Sequence, residues 1–131
     1  MIGLDTNVLV RYIVQDDATQ ARIATRLIES TCTPDDPGII SHIVLCELVW
    51  VLSHGYGYAH KQICSVLRHI LSADDLHVER SEMAWQALNL YENGRADYAD
   101  YLLALANRQE KADFTYTFDK RTEGCRYFKL I

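Results

Sequence analysis

Five carboxylates in this chain stand where they could do chemistry, four of them at places where local structure could also use an acid: Asp5, Glu47, Asp97, Asp100 and Asp119. Asp5 opens the polar triplet Asp5-Thr6-Asn7 inside the mostly apolar start MIGLDTNVLV. As a turn residue it would cap the helix that follows, its oxygen accepting from the free N–H groups of the first turn. Glu47 is the one charge in IVLCELVWVL, residues 43–52, a stretch apolar on every helical face. That pattern predicts a buried helix, in which an unpaired carboxylate costs on the order of several kcal/mol. With no arginine or lysine nearby on that helix, a metal or catalytic site is the favoured expectation for Glu47, and a salt bridge to a distant base the other. Asp97 and Asp100 lie in GRADYADYLLALA, near enough in helical spacing to share a face, and both suit a helix start. Asp119 follows TYTF, with Thr117 two residues before it.

Taken together these acids suggest one chemistry. Carboxylates gathered in one cleft repel unless a cation sits among them, and all-oxygen ligation without histidine or cysteine suits Mg²⁺ or Mn²⁺. The formal charge of −5 agrees: without these five acids, 13 others stand against 13 bases. The negative balance also argues against a large basic groove for nucleic acid.

The elements that must position the acids follow from periodicity. Residues 1–5 read as a buried strand and 6–14 as a helix. Asp16-Asp17 caps a second helix, whose apolar stripe is Ala21, Ile23, Ala24, Leu27 and Ile28. After the loop TPDDPG comes a strand, GIIS, then a helix from about 42 to 54 that Gly55 and Gly57 end. Further helices are expected over roughly 60–73, 80–92 and 97–110, with strands at 76–79 and 113–118 and a closing edge strand in YFKLI. Strands alternating with helices predict an α/β fold with a mostly parallel sheet, in which ligands gather beyond the C-terminal strand ends. Asp5, Glu47 and Asp119 all come after strands. At 131 residues the chain reads as one domain, 1–131. It shows no secretory signal and no apolar run of membrane length, so a cytoplasmic location is expected. The four cysteines are scattered and read as reduced thiols, with Cys46 and Cys64 in the core.

Four segments, IGLDTNVLVRY, ISHIVLCELVWVL, ADYADYLLALA and TYTFDKR, in this order and spacing make the chain resemble the PIN-domain family. Within that family it looks like the VapC-like toxins of bacterial toxin–antitoxin pairs. The resemblance implies a PIN-like three-layer α/β/α fold with a short, mostly parallel central sheet flanked by helices. It implies a metal-dependent endoribonuclease that hydrolyses RNA with a metal-activated water, using Mg²⁺ or Mn²⁺. By position, Asp5, Glu47, Asp100 and Asp119 match the family's metal-binding acids. Asp97 ranks below Asp100 as a supporting residue or cap, and Asn7 and Thr117 look like polar supports. The resemblance also implies a homodimer and a VapB-like antitoxin, for which Trp50, Tyr56 and Tyr58 offer a surface. Arg11, Lys120 and Arg121, close in sequence to the acids, are candidates for RNA phosphate contact. Two other classes compete. A haloacid-dehalogenase-like phosphatase usually has a second Asp two positions after the first, where this chain has Asn7. A receiver-like domain needs an acidic pair there, and a PIN domain that binds RNA or protein without cleavage would lack some of the acids.

Overall fold

Ile2–Gly3 (β1), Gly38–Ile40 (β2) and Leu76–Val78 (β3) form a parallel sheet in the order β1-β2-β3. Ile2 stands opposite Gly38, and Gly38 opposite Leu76. In this computed structural model, which describes Met1–Ile131, the three strands belong to a compact unit spanning Met1–Ser81. Parallel neighbours need long crossovers, and helices supply them. Between β1 and β2 lie α1 (Thr6–Val14) and α2 (Ala18–Thr31); between β2 and β3 lie α3 (His42–Trp50) and α4 (His60–Ser72). A π-helical turn, Val51–Gly55, continues α3 to the glycine where the helix was expected to stop. The first strand is shorter than the expected 1–5, although Leu4 still donates its N–H to Ile39 O at 2.9 Å before the chain turns at Asp5.

Leu9, Val10, Ile28, Ile40, Leu45, Leu48, Leu52, Ile63 and Leu67 are buried in this unit. Packing is tight at the start of β2. A Cβ on Gly38 would come within 2.8 Å of both Cys32 Sγ and Leu4 Cδ1, so only glycine lets these groups meet. Cys32 and Cys64 are buried and Cys46 is only half-buried, so the expected core pair is corrected to Cys32 and Cys64. The reason is local: Cys32 ends α2 against Gly38, a contact that its sequence neighbours do not announce. None of the four cysteines is in a disulfide.

The second unit, Glu82–Ile131, contains nearly all of α5 (Ser81–Asn93), together with α6 (Tyr98–Gln109), β4 (Thr115–Thr117) and β5 (Phe128–Leu130). β4 and β5 pair in parallel, Thr115 opposite Phe128, and a 3-10 turn at Lys120–Thr122 follows β4. The buried Tyr98 hydroxyl donates to Ala84 O at 2.8 Å, joining α6 to α5. Asn107 Nδ2 donates to Thr115 Oγ1 at 2.9 Å and ties the end of α6 to β4. The α/β class, the parallel pairing and every expected helix are therefore observed. No helix is long and apolar enough to cross a membrane.

Candidate active site

In the first unit, the parallel sheet sets three chain turns at the C-terminal ends of its strands, after β1, β2 and β3. After β1, Asp5 is the N-cap of α1, with Oδ1 accepting from the Val8 N–H at 3.0 Å. The cap is therefore real, and it occupies one carboxylate oxygen of an exposed residue. After β2, Ser41 caps α3, its Oγ accepting from Val44 N–H at 3.2 Å. After β3, Glu79 accepts from the backbone N–H of His42 at 3.0 Å, a bond that pulls its carboxyl below the ordinary range. Glu79 was missed in the sequence; an acid directly after the strand LHV was the available signal. It pins the start of the helix that carries Glu47.

Glu47 itself corrects an expectation. It is exposed, as are Ile43 and Trp50, 71% and 61% open respectively. These three recur at helical spacing and form one open face of α3, while Leu45, Leu48 and Val49 are buried. An all-apolar stretch shows that a helix can be buried all round, not that neighbours cover each face. The burial argument for a metal at Glu47 therefore falls away. What holds Glu47 instead is Thr6, whose Oγ1 donates to Glu47 Oε1 at 3.0 Å. Asp5, Thr6 and Glu47 are thus linked through the start of α1. Asn7, also exposed, lines a groove beside α2 with Arg11, Gln20 and Ile23.

Arg11 is engaged in a closed polar network. Its Nε donates to Gln20 Oε1 at 2.6 Å, and its NH1 to Asp16 Oδ1 at 3.1 Å and to the Tyr56 hydroxyl at 3.0 Å. Tyr56 in turn donates to Asp16 Oδ2 at 2.8 Å, and the hydroxyl and guanidinium hold the Asp16 carboxyl low. Trp50 stacks on His54, ring centroids 4.8 Å apart, and Tyr58 is half-buried.

The second unit brings Asp97, Asp100 and Asp119 around one cation, Arg121. Its NH2 lies 2.7 Å from Asp119 Oδ2 and 4.0 Å from Asp100 Oδ2, and its NH1 3.4 Å from Asp97 Oδ1. Asp119 caps the 3-10 turn through the Arg121 backbone N–H at 2.9 Å, and its own N–H donates to Thr117 Oγ1 at 3.0 Å. Asp100 Oδ2 accepts from the Asp97 N–H at 3.0 Å. Asp97 stands at the N-cap position of α6, yet its carboxylate is turned to Arg121. Burial pushes the Asp100 carboxyl above its ordinary range, and the neighbouring charges of Asp97 and Asp119 add to this. Asp119 moves the other way, because Arg121 hydrogen-bonds its charged form. Lys120, next to this cluster in sequence, is exposed.

The family model described as PIN domain matches residues 2–124 of this sequence. The chain belongs to the PIN-domain family. That PIN-domain match runs from β1 through the 3-10 turn, and so takes in all five acids. This PIN domain is also 24% identical, over 118 residues, to a protein of Aquifex aeolicus (strain VF5) named VapC ribonuclease. The alignment covers 90% of this chain and 87% of that protein.

No group of three histidine, cysteine or acidic side chains is drawn together tightly enough to hold a metal ion. In the second unit the three carboxylates instead face a guanidinium, which stands where positive charge is needed. Carboxylate oxygens with a resident cation among them are a hard-donor set, and hard divalent ions suit such oxygens.

Proposed function

We propose that this PIN-domain chain is a divalent-metal-dependent endoribonuclease, the toxin of a toxin–antitoxin pair. The observation that carries the reading is the family match over residues 2–124, with acids standing at Asp5, Glu47, Asp100 and Asp119 inside it. The similarity to a protein named VapC ribonuclease supports RNA as the substrate. Residues 1–131 then work as one functional domain, with each of these four acids a candidate ligand for Mg²⁺ or Mn²⁺ at the active site. When bound, such an ion makes water a stronger nucleophile and offsets charge on the phosphodiester.

The chain's own residues prepare that site. The Thr6 hydroxyl restrains the Glu47 carboxylate, and the Val8 N–H holds one oxygen of Asp5 while the other stays free of that bond. Thr117 orients the Asp119 backbone, and the Asp97 N–H orients Asp100. Asp97 is then a supporting residue, and Asn7 a polar neighbour of Asp5. Arg121 and Lys120 supply positive charge beside the acids, suited to RNA phosphates. Arg11, tied to Asp16, Gln20 and Tyr56, serves this reading less well.

The proposal extends to partners: a second copy of the chain, and a VapB-like antitoxin that masks the acids. The open face of α3, where Trp50 stacks on His54 beside exposed Glu47, is the contact we assign to that antitoxin, with Tyr56 and Tyr58 following in sequence. Incubation of purified protein with a mixed RNA pool tests the core of the reading. Cleavage should require Mg²⁺ or Mn²⁺, stop on addition of chelator, and disappear in Asp100→Asn while the protein stays folded. Undiminished cleavage in chelator or in Asp100→Asn would overturn it.

A further inference from the structure

We propose that Arg121 is a built-in counter-ion that a divalent cation must displace, so that loading the metal and releasing this guanidinium are one exchange. The inference rests on the metal site proposed above. Arg121 meets Asp119 through three contacts, Nε at 3.1 Å from both carboxylate oxygens and NH2 at 2.7 Å from Oδ2. The same guanidinium reaches Asp97 at 3.4 and 3.5 Å and approaches Asp100 at 4.0 Å. One planar cation therefore satisfies three acids, two of which belong to the proposed metal-binding set.

The geometry leaves little of Asp119 for another cation. Its Oδ1 also accepts from the backbone N–H of Arg121, so the oxygens that a metal would take already accept from one residue. Guanidinium forks match carboxylates in this two-pronged manner and carry charge at every working pH. Arg121 sits two positions from Asp119 on the same 3-10 turn, so its effective concentration at the carboxylate is high whatever the solution holds. The side chain is nevertheless half exposed, 52%, so it can leave for solvent without opening a core. In the metal-free protein it relieves the repulsion among Asp97, Asp100 and Asp119. In the loaded protein it competes.

The test is Mn²⁺ binding to the full chain at fixed ionic strength, read by calorimetry and by loss of the free-ion paramagnetic resonance signal. Arg121→Gln should tighten Mn²⁺ binding by about two- to fivefold, the scale of a partly exposed ion pair. Arg121→Lys, which keeps the charge but loses the fork, should tighten it less. Lys120→Gln removes the same charge one residue away and should change affinity by less than about twofold. Equal effects of Arg121→Gln and Lys120→Gln, or weaker binding in Arg121→Gln, would overturn the exchange while leaving the metal site standing. No Mn²⁺ uptake by the wild-type chain would remove the metal site and the exchange with it. Should Arg121→Gln fail to fold, Arg121→Lys decides: unchanged or weakened binding counts against the exchange.

Discussion

Thr6 Oγ1 donates to Glu47 Oε1 at 3.0 Å, joining the first residue of α1 to the middle of α3 across 41 positions of sequence. Glu47 is exposed, so this bond restrains orientation more than it holds the fold together. Thr6→Val keeps the shape and removes the donor. Its stability in urea should fall by less than about 1 kcal/mol, while RNA cleavage, under the metal-binding role proposed for Glu47, should drop about tenfold or more. Thr6→Ser, which restores the hydroxyl, should recover most of the activity.

Asp5 is the N-cap of α1, the proposed function gives it a second role as a metal ligand, and two substitutions separate the two. Asparagine caps a helix as well as aspartate does, so Asp5→Asn should melt close to wild type and cleave no RNA. Asp5→Ala should lose cleavage and about 1 kcal/mol as well, because Val8 N–H loses its acceptor. Thermal melts beside a cleavage assay check both. An active Asp5→Asn would reduce Asp5 to a cap.

Metal-free protein should show opposite pH signatures from two neighbouring acids. The carboxyl of Asp119 is held below its ordinary value of 3.8 by Arg121, so its stabilising contribution is present above that value and lost as pH falls through the lower folded value. Asp100 is raised by burial, so the folded state prefers it protonated. Its contribution is full below 3.8 and lost as pH rises through the higher folded value. In chelator, Asp119→Asn should therefore flatten the loss of stability at the acid end. Asp100→Asn should raise the melting temperature near neutral pH. A melting series across pH on both variants reads these directions.

Gly94 is the tightest glycine of the second unit. A Cβ there would overlap the hydroxyl of Tyr101, which accepts from Ala96 N–H at 3.3 Å and is almost wholly buried. Gly94→Ala should cost about 1–3 kcal/mol by overpacking, measured by urea denaturation. Gly3→Ala, with nothing within 4 Å of the added carbon, should fall well short of that.

Much of this was legible in the linear chain. Apolar spacing placed every helix to within a few residues, because one-sided burial leaves a 3.6-residue period behind. Asp17 and Asp97 were readable as helix starts, and the DTN triplet as a turn that opens α1. The strand ends that carry Asp5 and Asp119 were readable too, since the apolar start MIGL precedes the first and the β-branched and aromatic run TYTF the second. The family likeness lay in the same acids, and it holds from residue 2 to residue 124.

Other features could not be read there. Nothing about IVLCELVWVL distinguishes a helix covered on all sides from one whose Ile43, Glu47 and Trp50 lie open. Apolar composition records what a face could bury, and only the neighbours decide what it does bury. Thr6 meeting Glu47, Glu79 pinning the start of α3, and Tyr56 closing the ring with Arg11 and Asp16 all bridge long stretches of chain. Arg121 was readable as a base near an acid, but not as the shared partner of Asp97 and Asp119. The linear order carries local propensity and periodicity. Which side chains finally meet depends on packed helices and strand register, and no single chain spells those out residue by residue.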